Sequence, residues 1–166
     1  MERIQLFTDG ACIGNPGPGG YGVVLVGADG RRELSGGFRR TTNNRMEIYA
    51  AIAALRALER PATGVLYSDS RYVVDSIAKR WAIGWRAKNW MRTKTERALN
   101  SDLWELVLAL LEPHDVRFQW VRGHAGHREN ERCDELATTA ARGRELAIDA
   151  EYERPSAARA SGLFDA

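Results

Sequence analysis

Four acidic residues stand out in this chain of 166 residues, because each lies beside or within an apolar run: Asp9, Glu47, Asp69 and Asp134. Moving a carboxylate out of water costs free energy unless another group compensates its charge. If several such carboxylates meet, they repel one another, and a bound divalent cation removes that conflict. The four residues are therefore candidates for a metal site.

Each of the four residues also has a structural explanation. Glu47 has the spacing of a capping-box carboxylate at the start of a helix, and Asp69 could cap the helix that follows it. Asp134 could be a solvated helix residue paired with Arg132, and Asp9 could belong to a turn. Spacing and composition alone leave both interpretations open.

The elements that must position these residues follow from hydrophobic periodicity. Alternation and short apolar runs predict strands at 3–9, 21–26, 32–38, 65–68 and 116–121. Helical spacing predicts helices over 44–59, from about 70, over 103–111 and over 129–142, with one more in the stretch before residue 100. A helix between two strands implies parallel pairing. The order predicts an α/β domain with helices packed against a five-stranded mixed sheet, in which neighbouring first and fourth strands would bring Asp9 close to Asp69.

Composition narrows the class of protein. The chain is 44% hydrophobic and 28% charged, which is ordinary for a globular protein, and no apolar run approaches the roughly 20 residues of a membrane span. The N-terminus lacks the pattern of an export signal, so we expect a cytoplasmic protein with reduced Cys12 and Cys133 and with neither a disulfide nor zinc. Residues 79–97 carry a net charge of +6 and leave −4 for the remainder, which indicates a polyanionic partner.

Five sequence motifs in register resemble those of bacterial type 1 ribonuclease H. They span residues 7–22, 41–47, 68–70, 120–127 and 129–137, and the resemblance as a whole runs from about residue 3 to 142. It implies the ribonuclease H-like fold, with a catalytic domain at 1–142, a basic protrusion at 79–97 within it, and a flexible C-terminal tail at 143–166. It also implies an endonuclease that hydrolyses the RNA strand of an RNA–DNA hybrid and leaves 3′-hydroxyl and 5′-phosphate ends.

The resemblance assigns roles to individual residues. It implies that Asp9, Glu47, Asp69 and Asp134 hold two Mg²⁺ ions, for which Mn²⁺ can substitute, and that these ions act on either side of the reacting phosphate. His124 matches the family's mobile histidine, which assists proton transfer or product departure.

The resemblance also predicts the contacts to the hybrid. They are made by Gly10, Cys12, Asn15, Thr42, Asn43, Asn44, Arg71, Trp85, Arg86 and Lys88. Arg71 stands where some relatives carry a glutamine, so its contact is the least certain of these. Trp81 and Trp90 are interpreted as core residues, and Trp85 as the better candidate for the hybrid surface.

Two other functions remain open alongside the hybrid-specific enzyme. One is a hybrid-binding module without catalysis, and the other is a DNA-acting nuclease of the same fold. The complete carboxylate set argues against the first, and the basic protrusion with the Asn43–Asn44 pair argues against the second. The expected state is a monomer without an obligate protein partner and without a membrane association.

Overall fold

The computed structural model describes residues 1–155, which form a mixed sheet with helices on both faces. The strands are β1 (Glu2–Cys12), β2 (Gly17–Gly27), β3 (Gly30–Thr41), β4 (Ala62–Ser68), β5 (Asp115–Trp120) and β6 (Leu146–Ala147). The helices are α1 (Asn43–Arg56), α2 (Arg71–Ala78), α3 (Trp81–Ala87), α4 (Ser101–Leu111), α5 (Arg128–Ala141) and α6 (Ala150–Glu153). None of the helices in this described part combines the length and apolar character that a bilayer crossing requires.

The sheet has the order β5-β4-β1-β2-β3-β6. The strands β1, β2 and β3 form an antiparallel meander, whereas β4 pairs parallel with β1 and β5 pairs parallel with β4. Helical connections precede both β4 and β5, namely α1 after β3 and α2 to α4 after β4, and they return the chain so that β4 and β5 run parallel to β1. The prediction of a mixed α/β sheet is confirmed, with six strands in place of five.

The core lies between the sheet and α1, α2 and α4. Ile4 and Leu6 of β1 face it, and α1 contributes Ile48, Ile52 and Leu55, all buried. Fully burying one such side chain stabilises the fold by roughly 1.5–3 kcal/mol. The helix α5 packs on the other face, over β1, β2 and β3. β1 is therefore covered on both faces of the sheet.

Two interpretations of the sequence need correction. Trp81 does not pack in the core, since it is 42% exposed, whereas Trp90 is buried as expected. The sheet also continues past residue 142, because β6 pairs with β3 and α6 follows it. The sequence missed this extension because a strand of two residues carries no detectable periodicity. Of the predicted tail, residues 156–166 lie outside the described residues.

Candidate metal centre

Parallel pairing brings Asp9 and Asp69 to the same end of the sheet. β1 and β4 run side by side to the pair Phe7 and Tyr67, Asp9 lies two residues further along β1, and Asp69 directly follows the last residue of β4. Asp9 is buried, and its Oδ1 accepts a hydrogen bond of 2.9 Å from the Gly10 amide. The predicted juxtaposition of the two carboxylates is therefore present.

Glu47 reaches the same point from the second turn of α1. The helix lies so close to β1 that a Cβ on Gly10 would come within 2.4 Å of the Glu47 nitrogen. Glycine is therefore needed at position 10, because any side chain would push α1 away. Glu47 itself is buried, and its Oε2 is the one buried side-chain oxygen or nitrogen among the described residues that lacks a hydrogen-bond partner.

The carboxylates of Asp9, Glu47 and Asp69 form a cluster in which one oxygen from each lies within 4.8 Å of the others. We call this the carboxylate cluster. Burial is the first cause of a raised pKa at all three residues, and like charge adds to it. The pKa of Asp9 rises to about 8, with Asp69 as the next cause, and the pKa of Glu47 lies well above its usual range.

Asp134 stands beside the carboxylate cluster on α5. Its negative charge raises the pKa of both Asp9 and Asp69. Close contact between α5 and β2 holds Asp134 in this position. A Cβ on Gly22 of β2 would lie 2.3 Å from the carbonyl oxygen of Cys133, the residue before Asp134. Gly22 is in turn the register partner of Asp9. Asp134 therefore acts electrostatically on the carboxylate cluster, but its oxygens are not among those that lie within 4.8 Å of one another.

The structural explanations for the four acidic residues do not hold. The N-cap of α1 is Thr42, whose Oγ1 accepts from the Arg45 amide at 3.2 Å, so Glu47 caps nothing. The N-cap of α2 is Ser70 and not Asp69.

The explanations for Asp134 and Asp9 also disagree with the structure. Arg132 pairs with Glu33 and Glu135 instead of Asp134. Asp9 lies inside β1 and not in a turn.

His124 lies in the loop between β5 and α5, next to Asp69. The loop approaches so closely that a Cβ on Gly123 would come within 2.6 Å of Asp69 Oδ2. The positive charge of His124 acts to lower the Asp69 pKa, against the larger effect of burial. The imidazole is exposed, and its backbone has a φ of 54°, in the left-handed region that non-glycine residues seldom adopt.

Trp120 fixes the backbone at Asp69. Its Nε1 donates a hydrogen bond of 3.0 Å to the Asp69 carbonyl oxygen. The Arg71 guanidinium stacks on the same indole, with Cζ 3.8 Å from the ring centroid, while the side chain remains exposed. Such stacking holds a cation in place without removing it from solvent. The sequence pattern of β5 did not predict this role of Trp120.

A polar groove runs along the start of α1, with a volume of about 440 Å³. It is lined by Asn15, Thr42, Asn43 and Asn44, together with residues of α4 and of the C-terminal segment. The Asn43 amide donates to Asn15 Oδ1 at 2.9 Å, which ties the loop between β1 and β2 to the helix start. The structure thus brings together four of the predicted substrate contacts.

The other predicted contacts have different surroundings. Gly10 is buried beneath α1, and the Cys12 thiol is half-buried and donates to the carbonyl oxygens of Gly17 and Thr41. Burial raises the pKa of this thiol.

The basic protrusion supplies the remaining predicted contacts. Trp85 is half-buried against the core, whereas Arg86 and Lys88 are exposed at the end of α3. Trp81 also lies on this surface, with the Lys79 ammonium 5.6 Å from its ring centroid.

Comparison with known proteins places these features in context. The RNase H family model matches residues 1–142. A ribonuclease H from Desulforamulus reducens is 58% identical over 149 residues, which cover 90% of this chain and 94% of that protein. A ribonuclease HI from Synechocystis sp. is 58% identical over 140 residues, covering 84% and 88%. The crystal structure of LC9-RNase H1, described as a type 1 RNase H with the type 2 active-site motif, has a TM-score of 0.77 at 32% identity and covers 98% of this chain and 85% of that one.

Proposed function

The chain belongs to the RNase H family, and on that premise we propose that Asp9, Glu47, Asp69 and Asp134 form the metal-dependent active site with which it cuts the RNA strand of an RNA–DNA hybrid. The observation that carries this proposal is the carboxylate cluster with its unpartnered Glu47 Oε2. Such a buried oxygen is costly unless a cation occupies the site. Hard carboxylate oxygens are the ligands that Mg²⁺ prefers, and Mn²⁺ can take its place.

The four carboxylates would hold two divalent ions on the substrate side of the cluster. When bound, these ions supply positive charge to the attacking water and to the leaving oxygen of the phosphodiester. The side chains themselves bind and orient, and no residue forms a covalent bond to the substrate. Water adds to the phosphorus and the P–O3′ bond breaks, which leaves a 5′-phosphate and a 3′-hydroxyl.

His124 would handle protons at this site. Its exposure and its place next to Asp69 allow an imidazole to reach the reacting phosphate and to withdraw from it. An imidazole changes charge near neutral pH and can donate or accept a proton there.

The polar groove would seat the DNA strand of the hybrid. Asn15, Thr42, Asn43 and Asn44 surround the N-terminus of α1, where backbone N–H groups favour a phosphate. Gly10 and Cys12 would contribute their backbone at the border between this groove and the carboxylate cluster. Contacts to 2′-hydroxyls would identify the RNA strand.

The basic protrusion would supply affinity without base readout. Arg86 and Lys88 are exposed and would neutralise phosphates, with Trp85 beside them. Arg71, stacked on Trp120, would add one more cation close to the cleaved strand. The enzyme is expected to act as a monomer in the cytoplasm, where thiols such as Cys12 and Cys133 stay reduced.

One assay tests the proposal and separates the alternatives. End-labelled RNA–DNA hybrid, duplex DNA and duplex RNA are each incubated with the protein in Mg²⁺ or in EDTA. We expect cleavage of the hybrid's RNA strand alone, and only with Mg²⁺. Cleavage of duplex DNA would indicate a DNA-acting nuclease, and binding without any cleavage would indicate an inactive binding module.

The variant Asp9→Asn supplies the matched control. It should abolish cleavage and keep hybrid binding, because binding depends on the groove and the basic protrusion. A loss of binding as large as the loss of turnover would contradict this division of roles.

A further inference from the structure

Arg45 is buried at the start of α1, two residues before Glu47. Its side chain is 6% exposed. A positive charge in the first turn of a helix opposes the helix dipole, so it requires partners. Arg45 forms fork-shaped ion pairs with Asp149 at 2.7 and 3.0 Å and with Asp102 at 3.0 and 2.7 Å.

The guanidinium of Arg45 has no donor left over. A further bond of 3.3 Å from its Nη1 to Asn100 Oδ1 brings the number of hydrogen bonds to five, which equals the number of N–H groups in a guanidinium. Two of the three partners, Asp102 and Asn100, belong to the start of α4. The third, Asp149, comes from the segment that follows β6.

Asp149 joins three parts of the chain at one point. Besides Arg45, its Oδ2 accepts a hydrogen bond of 2.7 Å from the Thr41 hydroxyl at the end of β3, and its Oδ1 accepts one of 3.3 Å from the Tyr152 amide in α6. Asp149 is 8% exposed, and both of its carboxylate oxygens are used. It therefore connects β3, α1 and the C-terminal segment.

This junction borders the polar groove, because Arg45, Asn100 and Asp102 are among the residues that line it. The groove is also lined by Thr42, Asn43 and Asn44, which immediately precede Arg45 in the chain. The C-terminal segment that carries Asp149 contributes Glu151, Tyr152 and Arg154 to the lining. Movement of Asp149 would therefore displace groove residues of both α1 and the C-terminal segment.

We propose that Asp149 is a positioning residue for the hybrid and that residues 146–154 form one wall of the substrate groove. This inference rests on the proposed function of the groove. Asp149 does not touch the substrate. It fixes the first turn of α1 through Arg45 and Thr41, so that the asparagine side chains and the N–H groups of the turn keep the spacing that a phosphate needs.

The test uses the full chain with Asp149→Asn, which retains the size of the side chain but removes its charge and replaces one accepting oxygen with a donor. We expect KM for the hybrid to rise about tenfold and kcat to stay within about twofold, because the carboxylate cluster is untouched and only binding is lost. Asp149→Glu, which retains the charge, should recover part of the loss.

Two further variants separate positioning from general destabilisation. Ile4→Ala weakens the core at the opposite end of β1 and should leave KM unchanged. Thr41→Val removes only the hydroxyl that donates to Asp149, and it should raise KM about twofold to threefold even if Asp149→Asn does not fold.

Binding of a fluorescent hybrid in EDTA, followed by anisotropy, gives a measure that does not depend on cleavage. If the wild type binds and cuts the hybrid while Asp149→Asn and Thr41→Val leave KM and anisotropy unchanged, the inference is overturned. If KM rises equally in Ile4→Ala, it is also overturned. If the wild type binds the hybrid without cutting it, the proposed function fails, and anisotropy of the same variants still decides the role of Asp149.

Discussion

The carboxylate cluster should destabilise the metal-free protein, and Asp9→Asn should reverse this. The pKa of Asp9 is raised from 3.8 to about 8 by burial and by Asp69. Between those two values the folded protein retains a proton that the unfolded chain releases. The contribution of Asp9 to the stability of the metal-free wild type is therefore most favourable below pH 4 and declines as the pH rises towards 8.

The magnitude follows from the pKa difference. The cost of deprotonation in the unfolded chain but not in the folded protein grows with the gap between the solution pH and the unfolded pKa of 3.8, which gives about 2 kcal/mol at pH 5 and about 4 kcal/mol at pH 7. An asparagine at position 9 is neutral in both states and escapes this cost. We expect Asp9→Asn to be more stable than the wild type in EDTA, by a margin that grows by roughly 2 to 3 kcal/mol from pH 5 to pH 7.

Urea unfolding followed by circular dichroism in EDTA at pH 5, 6 and 7 measures this margin. Asp29→Asn, which removes an exposed carboxylate outside the cluster, controls for the change in net charge. Addition of Mg²⁺ at pH 7 should stabilise the wild type more than the variant and so narrow the margin. A margin that is the same at all three pH values would refute the reasoning.

Three further predictions concern the neighbours of the cluster. Gly123→Ala would place a Cβ 2.6 Å from a carboxylate oxygen of the cluster and should lower kcat by on the order of tenfold. Gly84→Ala, whose Cβ meets no atom within 4 Å, should leave kcat unchanged. Equal kcat values of the two variants in steady-state cleavage would contradict this expectation. His124→Ala should slow single-turnover cleavage by roughly a hundredfold and leave measurable activity, so complete inactivity would assign the histidine a different role. Replacing Arg86 and Lys88 together by alanine should flatten the plot of log affinity against log salt by about 2 units, and an unchanged slope would remove the basic protrusion from the interface.

The meeting of Asp9 and Asp69 was predictable because it depends on strand direction. The helix α1 returns the chain after β3, so β4 runs parallel to β1, and this parallel pairing brings Asp9 and Asp69 to one end of the sheet. Helical spacing likewise predicted that Glu47 and Asp134 lie on helices. Their convergence needed the resemblance to the family, because spacing alone did not distinguish a ligand from a helix cap.

The C-terminal junction was not predictable from periodicity. Asp149 follows a strand of two residues in a stretch without an apolar rhythm, so nothing local marked it as buried. One signal was available, because Arg45 stands unfavourably in the first turn of its helix and implied acidic partners. The sequence could not say which of 22 acidic residues they are.

The burial of the tryptophans in residues 79–97 was also not predictable from the sequence. Trp81 and Trp90 are similar in type and neighbourhood, yet one is exposed and the other is buried. Trp81 is the first residue of the short helix α3, whereas Trp90 follows the end of that helix with a φ of 64° and packs in the core. Neither position carries a local periodicity that would distinguish the two.

The ion pair between Arg45 and Asp149 also has a consequence for the order of folding. The two residues are 104 positions apart, so their contact closes a loop that spans most of the chain. Synthesis proceeds from the N-terminus, and all six strands and the first five helices of the described residues emerge before Asp149 does. Until then Arg45 lacks one of its two carboxylates, and the start of α1 lacks its connection to the C-terminal segment. The four carboxylates of the candidate metal centre are therefore synthesised before the polar groove is complete.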